Sequence, residues 1–78
     1  MKTMTCNELG GACDVTFQAV TFDEIAAMSR RHGQEMAEKG DAAHLAAMQT
    51  MRDLMTDPAA MRAWFEEVQQ AFADLPED

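Results

Sequence analysis

The hydrophobic period of this chain changes at residue 20, and that change restricts the folds open to it. Before it, Val15, Phe17 and Ala19 alternate with Asp14, Thr16 and Gln18, the period of two of a half-buried strand. After it, apolar residues recur at helical spacing, most clearly in Met61, Trp64, Phe65, Val68 and Phe72. Residues 2–7 and 14–20 read as two short strands. Leu9-Gly10-Gly11-Ala12 between them brings the glycines that a turn with positive φ requires. The result is an antiparallel hairpin, which is marginal alone and must pack on something else.

Local signals divide the remainder into three helices. Thr21-Phe22-Asp23-Glu24 is a capping box that starts helix one at Phe22, and Gly40 ends it after about Lys39. Its core-facing stripe is Phe22, Ile25, Ala26, Ser29, His32 or Gly33, and Met36. Asp41 caps helix two, which runs from Ala42 to about Met55. Asp57-Pro58 restarts the chain as helix three, which continues to about Ala73 and stops before Pro76. The expected fold is α+β: an N-terminal β-hairpin packed on helix one, then an antiparallel helical hairpin joined by Thr56-Asp57. One domain spans 1–78, with hairpin plus helix one in 1–39 and the helical hairpin extension in 41–75. Pro76-Glu77-Asp78 is expected to fray.

Size and charge exclude several functions. A 78-residue chain supports one modest core and leaves little scaffold for a large catalytic cleft. The formal net charge is −8; residues 1–40 carry six acids and four bases, residues 41–78 eight and two. No basic face can be assembled to neutralise nucleic-acid phosphates or to dock on an anionic membrane. No apolar run approaches a membrane span, and no apolar stretch follows Lys2 to form a secretory signal, so a cytoplasmic protein is expected. There the two cysteines serve as thiols or metal ligands sooner than as a lasting disulfide.

Those cysteines carry the chemistry. Cys6 and Cys13 flank the hairpin turn, as paired thiolates do in a zinc knuckle, although six residues separate them instead of the usual two to four. His32 joins them if the core face of helix one packs on the hairpin. The pattern Cys6…Leu9-Gly10…Cys13-Asp14, then Thr21…Glu24-Ile25 and His32, resembles the bacterial family described as predicted small metal-binding proteins, over residues 1–37. That resemblance implies a hairpin-helix core and a metal held by Cys6, Cys13 and His32. Family members carry a second histidine five positions after the first, where this chain has Ala37. His44 is the best replacement on chemical grounds, since imidazole suits zinc, and it reaches the site if helix two folds back over helix one. Asp14, Glu35, Met36 and a water molecule are the other options for the fourth position.

Two further readings of the same residues stand beside this one. Cys6 and Cys13 are small buried hydrophobes with His32 at the core edge, or they form a reversible disulfide if their Cα atoms lie within about 7 Å. His44, Met48, Met51 and Met55 share a face of helix two that matches a copper(I) site, but the same spacing makes a core stripe, part of which can stay exposed as an adaptable surface for a partner or a second copy. Trp64 and Phe65 are expected in the core. No phosphate-cradling loop or nucleophile turn is present; the one serine, Ser29, lies mid-helix. The chain is expected to be a non-enzymatic protein with a structural zinc on Cys6, Cys13, His32 and His44. The alternative is a metal-free module that meets a protein partner or a second copy of itself through its acidic helices.

Overall fold

Three oxygen-bearing side chains start the three helices, as their sequence positions require. The computed structural model describes residues 1–78 and contains strands β1 (Lys2–Thr5) and β2 (Thr16–Ala19), followed by helices α1 (Phe22–Glu38), α2 (Ala42–Met55) and α3 (Pro58–Asp74). Thr21 Oγ1 accepts from the Glu24 amide at 3.2 Å, and its hydroxyl in turn donates to Glu24 Oε1 at 3.0 Å. The capping box therefore closes between side chains. Asp41 accepts from the His44 amide at 2.9 Å, and Asp57 from those of Ala59 and Ala60 at 3.1 and 3.3 Å behind Pro58. The architecture is the expected α+β one, an antiparallel hairpin followed by three helices. No helix is long and apolar enough to cross a membrane.

The strands are shorter than their sequence pattern suggests. Register pairs Lys2 with Ala19, Thr3 with Gln18, Met4 with Phe17 and Thr5 with Thr16. Cys6 then turns into helical backbone (φ −53°, ψ −45°) and opens a 3-10 turn over Asn7–Leu9, which ends at Gly10 with φ +92°. The hairpin connection is thus a folded loop and not a tight turn. It takes Asp14 and Val15 out of β2 and leaves Val15 exposed.

Met4, Phe17 and Ala19 point from the hairpin into a core completed by Cys6, Leu9, Ile25, Val68 and Phe72. Ile25 on α1 is 0% exposed and sits at the centre of this cluster. Phe22 stands edge-on to both Phe65 and Phe72, linking the start of α1 to α3. Phe65 itself is 40% exposed, so it borders the core instead of filling it. Ile25→Ala is expected to cost about 2–5 kcal/mol, read as a lower midpoint in denaturant with the slope unchanged.

Asp78, expected to fray with Pro76 and Glu77, is instead anchored. The Asp78 amide donates to the Met1 carbonyl at 2.6 Å, and the Asp78 carboxylate accepts from Thr3 and, at 3.2 Å, from Gln18. Lys2 Nζ donates to the carbonyls of Phe72 and Ala73 at 3.0 and 2.9 Å. It supplies a cation to the last turn of α3, which has none of its own. Together these bonds tie the end of the chain to the outer strand.

Candidate metal centre

The fold brings both cysteines and both histidines of the chain to one point. Cys6 follows β1, Cys13 sits in the loop before β2, His32 lies on α1 and His44 in the first turn of α2. Their ligand atoms all lie within 4.8 Å of one another. Cys6 Sγ is 3.7 Å from His44 Nε2, and Cys13 Sγ is 3.3 Å from His32 Nε2. A tetrahedral zinc with bonds of about 2.3 Å to sulfur and 2.0–2.1 Å to nitrogen separates S and N by roughly 3.5 Å. Both measured pairs straddle that value. The cysteines are free, and the cluster is half-sheltered: Cys6 and His44 are buried, Cys13 and His32 partly so.

Local backbone chemistry holds the two thiols. The Cys6 amide donates to Val15 O at 2.8 Å and the Asn7 amide to Cys13 O at 3.0 Å, pinning the arms of the loop together. Thr5 and Glu8 exchange reciprocal bonds of 2.9 and 3.2 Å, and Asn7 Nδ2 donates to Asp14 Oδ1 at 2.8 Å. The glycines divide their work. Gly10 takes the left-handed conformation, whereas Gly11 gives room: a Cβ there would lie 2.1 Å from Cys6 Sγ and 3.0 Å from its carbonyl oxygen. The Gly11 amide also donates to that oxygen at 2.8 Å.

His44 is aimed by Asp41. The Asp41 carboxylate that caps α2 also lies 2.6 Å from His44 Nδ1. That bond places the ring proton on Nδ1 and leaves the Nε2 lone pair facing Cys6, the carboxylate–histidine arrangement common behind zinc ligands. The hydrogen bond to Asp41 raises the His44 pKa above its ordinary 6.5 against the opposing effect of burial, and the neighbouring Cys13 adds to the rise. Hydrogen bonds from the His44 ring and amide hold the Asp41 carboxyl below its ordinary 3.8.

The signs give a test. In metal-free protein the His44 contribution to stability is complete below pH 6.5 and is lost as pH rises through its raised folded value. The Asp41 contribution is complete above pH 3.8 and is lost as pH falls through its lowered value. Asp41→Asn keeps a good cap but loses the charge. Under chelator, the stability gap between wild type and Asp41→Asn is therefore expected to shrink as pH rises above 6.5. With zinc present the variant is expected to bind about 10–100-fold more weakly, measured by competition with a chromophoric chelator.

Neither carboxylate offered for the fourth position belongs to the cluster. Asp14 is engaged by Asn7, and Glu35 pairs with Arg31 at 3.5 Å on the outer face of α1. The face of α2 that follows core spacing is buried only in part: His44 is buried, Met48 and Met51 are half-buried beside an open cleft and Met55 is 59% exposed. The two histidine rings meet edge to face at 5.1 Å, and Phe17 stands against His32 at 5.6 Å, which shields one side of the cluster. In the sequence Asp41 stands out only as a cap. The signal for its second role is the spacing Asp41-x-x-His44, which on a helical first turn sets a carboxylate beside an imidazole. These features define a small α+β protein with a Cys2His2 cluster backed by a carboxylate. Comparison with family models, curated proteins and solved structures finds no match for the chain.

Proposed function

We propose that this protein binds one zinc ion through Cys6, Cys13, His32 and His44, and that the ion serves as a structural staple. The observation that carries this reading is the Asp41–His44 bond at 2.6 Å, which turns Nε2 toward the two thiols. A histidine that merely packs in a core needs no such orientation toward sulfur. Two thiolates and two imidazoles are the donor set that zinc favours over hard cations. The ion would join the β-hairpin loop, α1 and α2, three parts that a core of this size secures poorly. The role is non-enzymatic, since four protein ligands complete a tetrahedral shell and leave no position for a substrate. A reducing, cytoplasmic setting suits it by keeping both thiols available.

We also propose membership of the family of small metal-binding proteins that residues 1–37 resemble, with His44 taking the part of the histidine that Ala37 lacks. Native mass spectrometry of protein purified without added metal tests the binding itself. The expected spectrum shows one zinc per chain, lost in Cys6→Ser and in His44→Ala. A bare mass that stays bare after zinc is added at neutral pH refutes the reading.

A further inference from the structure

A cleft of about 470 Å³ opens between α1, α2 and α3 and adjoins the candidate metal centre, whose Cys6 and His44 contribute to its wall. Its volume falls within the range of about 300–1,000 Å³ typical of small-molecule sites. The lining is chiefly hydrophobic and includes Met48, Met51, Met61, Trp64 and Phe65. Methionines on such a surface adapt to flexible apolar chains. Its charged side chains run against the character of the whole molecule. The chain has 14 acids and 6 bases, yet no carboxylate lines the cleft and two arginines, Arg30 and Arg52, do. Neither has a carboxylate partner: the arginine ion pair of the structure belongs to Arg31, and Arg52 donates only to the neutral Gln49 amide at 3.1 Å.

We propose that this cleft binds a single-chain anionic amphiphile of the fatty carboxylate type. Its acyl tail lies along the methionine and aromatic wall, and its carboxylate meets Arg30 or Arg52, whose guanidinium geometry matches a carboxylate. The two arginines and the net charge of the chain decide against the other candidate occupants. A basic amphipathic helix would set cations against cations there. A second copy would bring together two chains of charge −8. The inference rests on the cleft alone and holds with or without zinc.

Trp64 is the only tryptophan and lines the cleft, so its fluorescence reports occupancy directly. The test is a titration with dodecanoate below its micelle concentration, run on zinc-loaded and on chelated protein, with dodecyltrimethylammonium as the cationic counterpart. The expected result is saturable 1:1 binding of dodecanoate in both states, with the cationic amphiphile weaker by at least about tenfold. The double variant Arg30→Gln/Arg52→Gln is expected to lose about the same factor. Gly33→Leu supplies an independent blockade: a Cβ there meets nothing within 4 Å, and replacing a mid-helix glycine favours folding. It should fill the cleft and weaken binding while circular dichroism stays native. Unsaturable partitioning, equal affinity for the cationic amphiphile, or unchanged binding in the double arginine variant overturns the proposal. So does preferential binding of a basic amphipathic peptide. Native mass spectrometry on the same samples reads zinc separately, so failure of one site is not mistaken for failure of the other.

Discussion

Stripping zinc from the protein with a strong chelator is expected to lower its melting temperature by about 15–30 °C, with full recovery on adding zinc back. The core is thin, with only nine of 78 residues buried. Cys6 and His44 are two of those nine, so the candidate centre is part of the core and not an ornament on it. A ligand present at a thousand times its dissociation constant adds about 4 kcal/mol to folding stability. For a domain of this size each kcal/mol moves the midpoint by roughly 4–8 °C. Calorimetry with and without chelator measures the difference. Superimposable transitions would sink the structural role while leaving weak, incidental binding to be found by mass spectrometry.

Gly11→Ala is expected to abolish stoichiometric zinc binding although residue 11 contributes no ligand. Gly11 does not need positive φ, so alanine's backbone preference is not the obstacle. The obstacle is space, since the new Cβ would stand 2.1 Å from Cys6 Sγ and 3.0 Å from the Cys6 carbonyl oxygen. Cys6 can relieve the overlap only by swinging its sulfur away from His44 or by breaking the 2.8 Å bond that the Gly11 amide makes to its carbonyl. The metal-free protein should lose about 1–3 kcal/mol, as overpacked sites do. Zinc affinity should fall by more than the roughly 10–100-fold that accompanies loss of an outer-shell partner. Gly10→Ala makes the informative comparison. It strains a left-handed position and presses on Trp64 at 3.0 Å, yet leaves Cys6 untouched, so stability should fall while zinc stoichiometry survives. Equal zinc content in Gly11→Ala and wild type would mean that Cys6 is not a ligand.

What could be read from the sequence was what local chemistry decides. Thr21, Asp41 and Asp57 announced the three helices because each cap acts on amides two or three residues ahead, and α2 and α3 begin where those caps require. Cys6, Cys13 and His32 were recognisable by type and order. The features that escaped depend on contacts across the fold. β1 stops at Thr5 because Cys6 adopts helical backbone and its carbonyl accepts from Leu9 at 3.1 Å and Gly11 at 2.8 Å, a competition that alternation alone does not reveal. Asp78 is held because the Met1 carbonyl and the Thr3 hydroxyl, which lie far off in sequence, meet it at the hairpin. His44 remained a chemical guess until α2 folded against α1. The methionine face of α2 followed the core spacing and yet borders an open cleft, since α1, α2 and α3 leave a gap between them that no periodicity records.

In the proposed centre four side chains, and no others, hold one zinc. X-ray absorption at the zinc edge on the one-to-one complex tests it most directly, because sulfur and nitrogen shells separate by distance. The expected spectrum shows two sulfurs at about 2.3 Å and two imidazole nitrogens at about 2.0–2.1 Å, with one sulfur lost in Cys13→Ser. A shell of oxygen and nitrogen without sulfur, or one unchanged in Cys13→Ser, would contradict it.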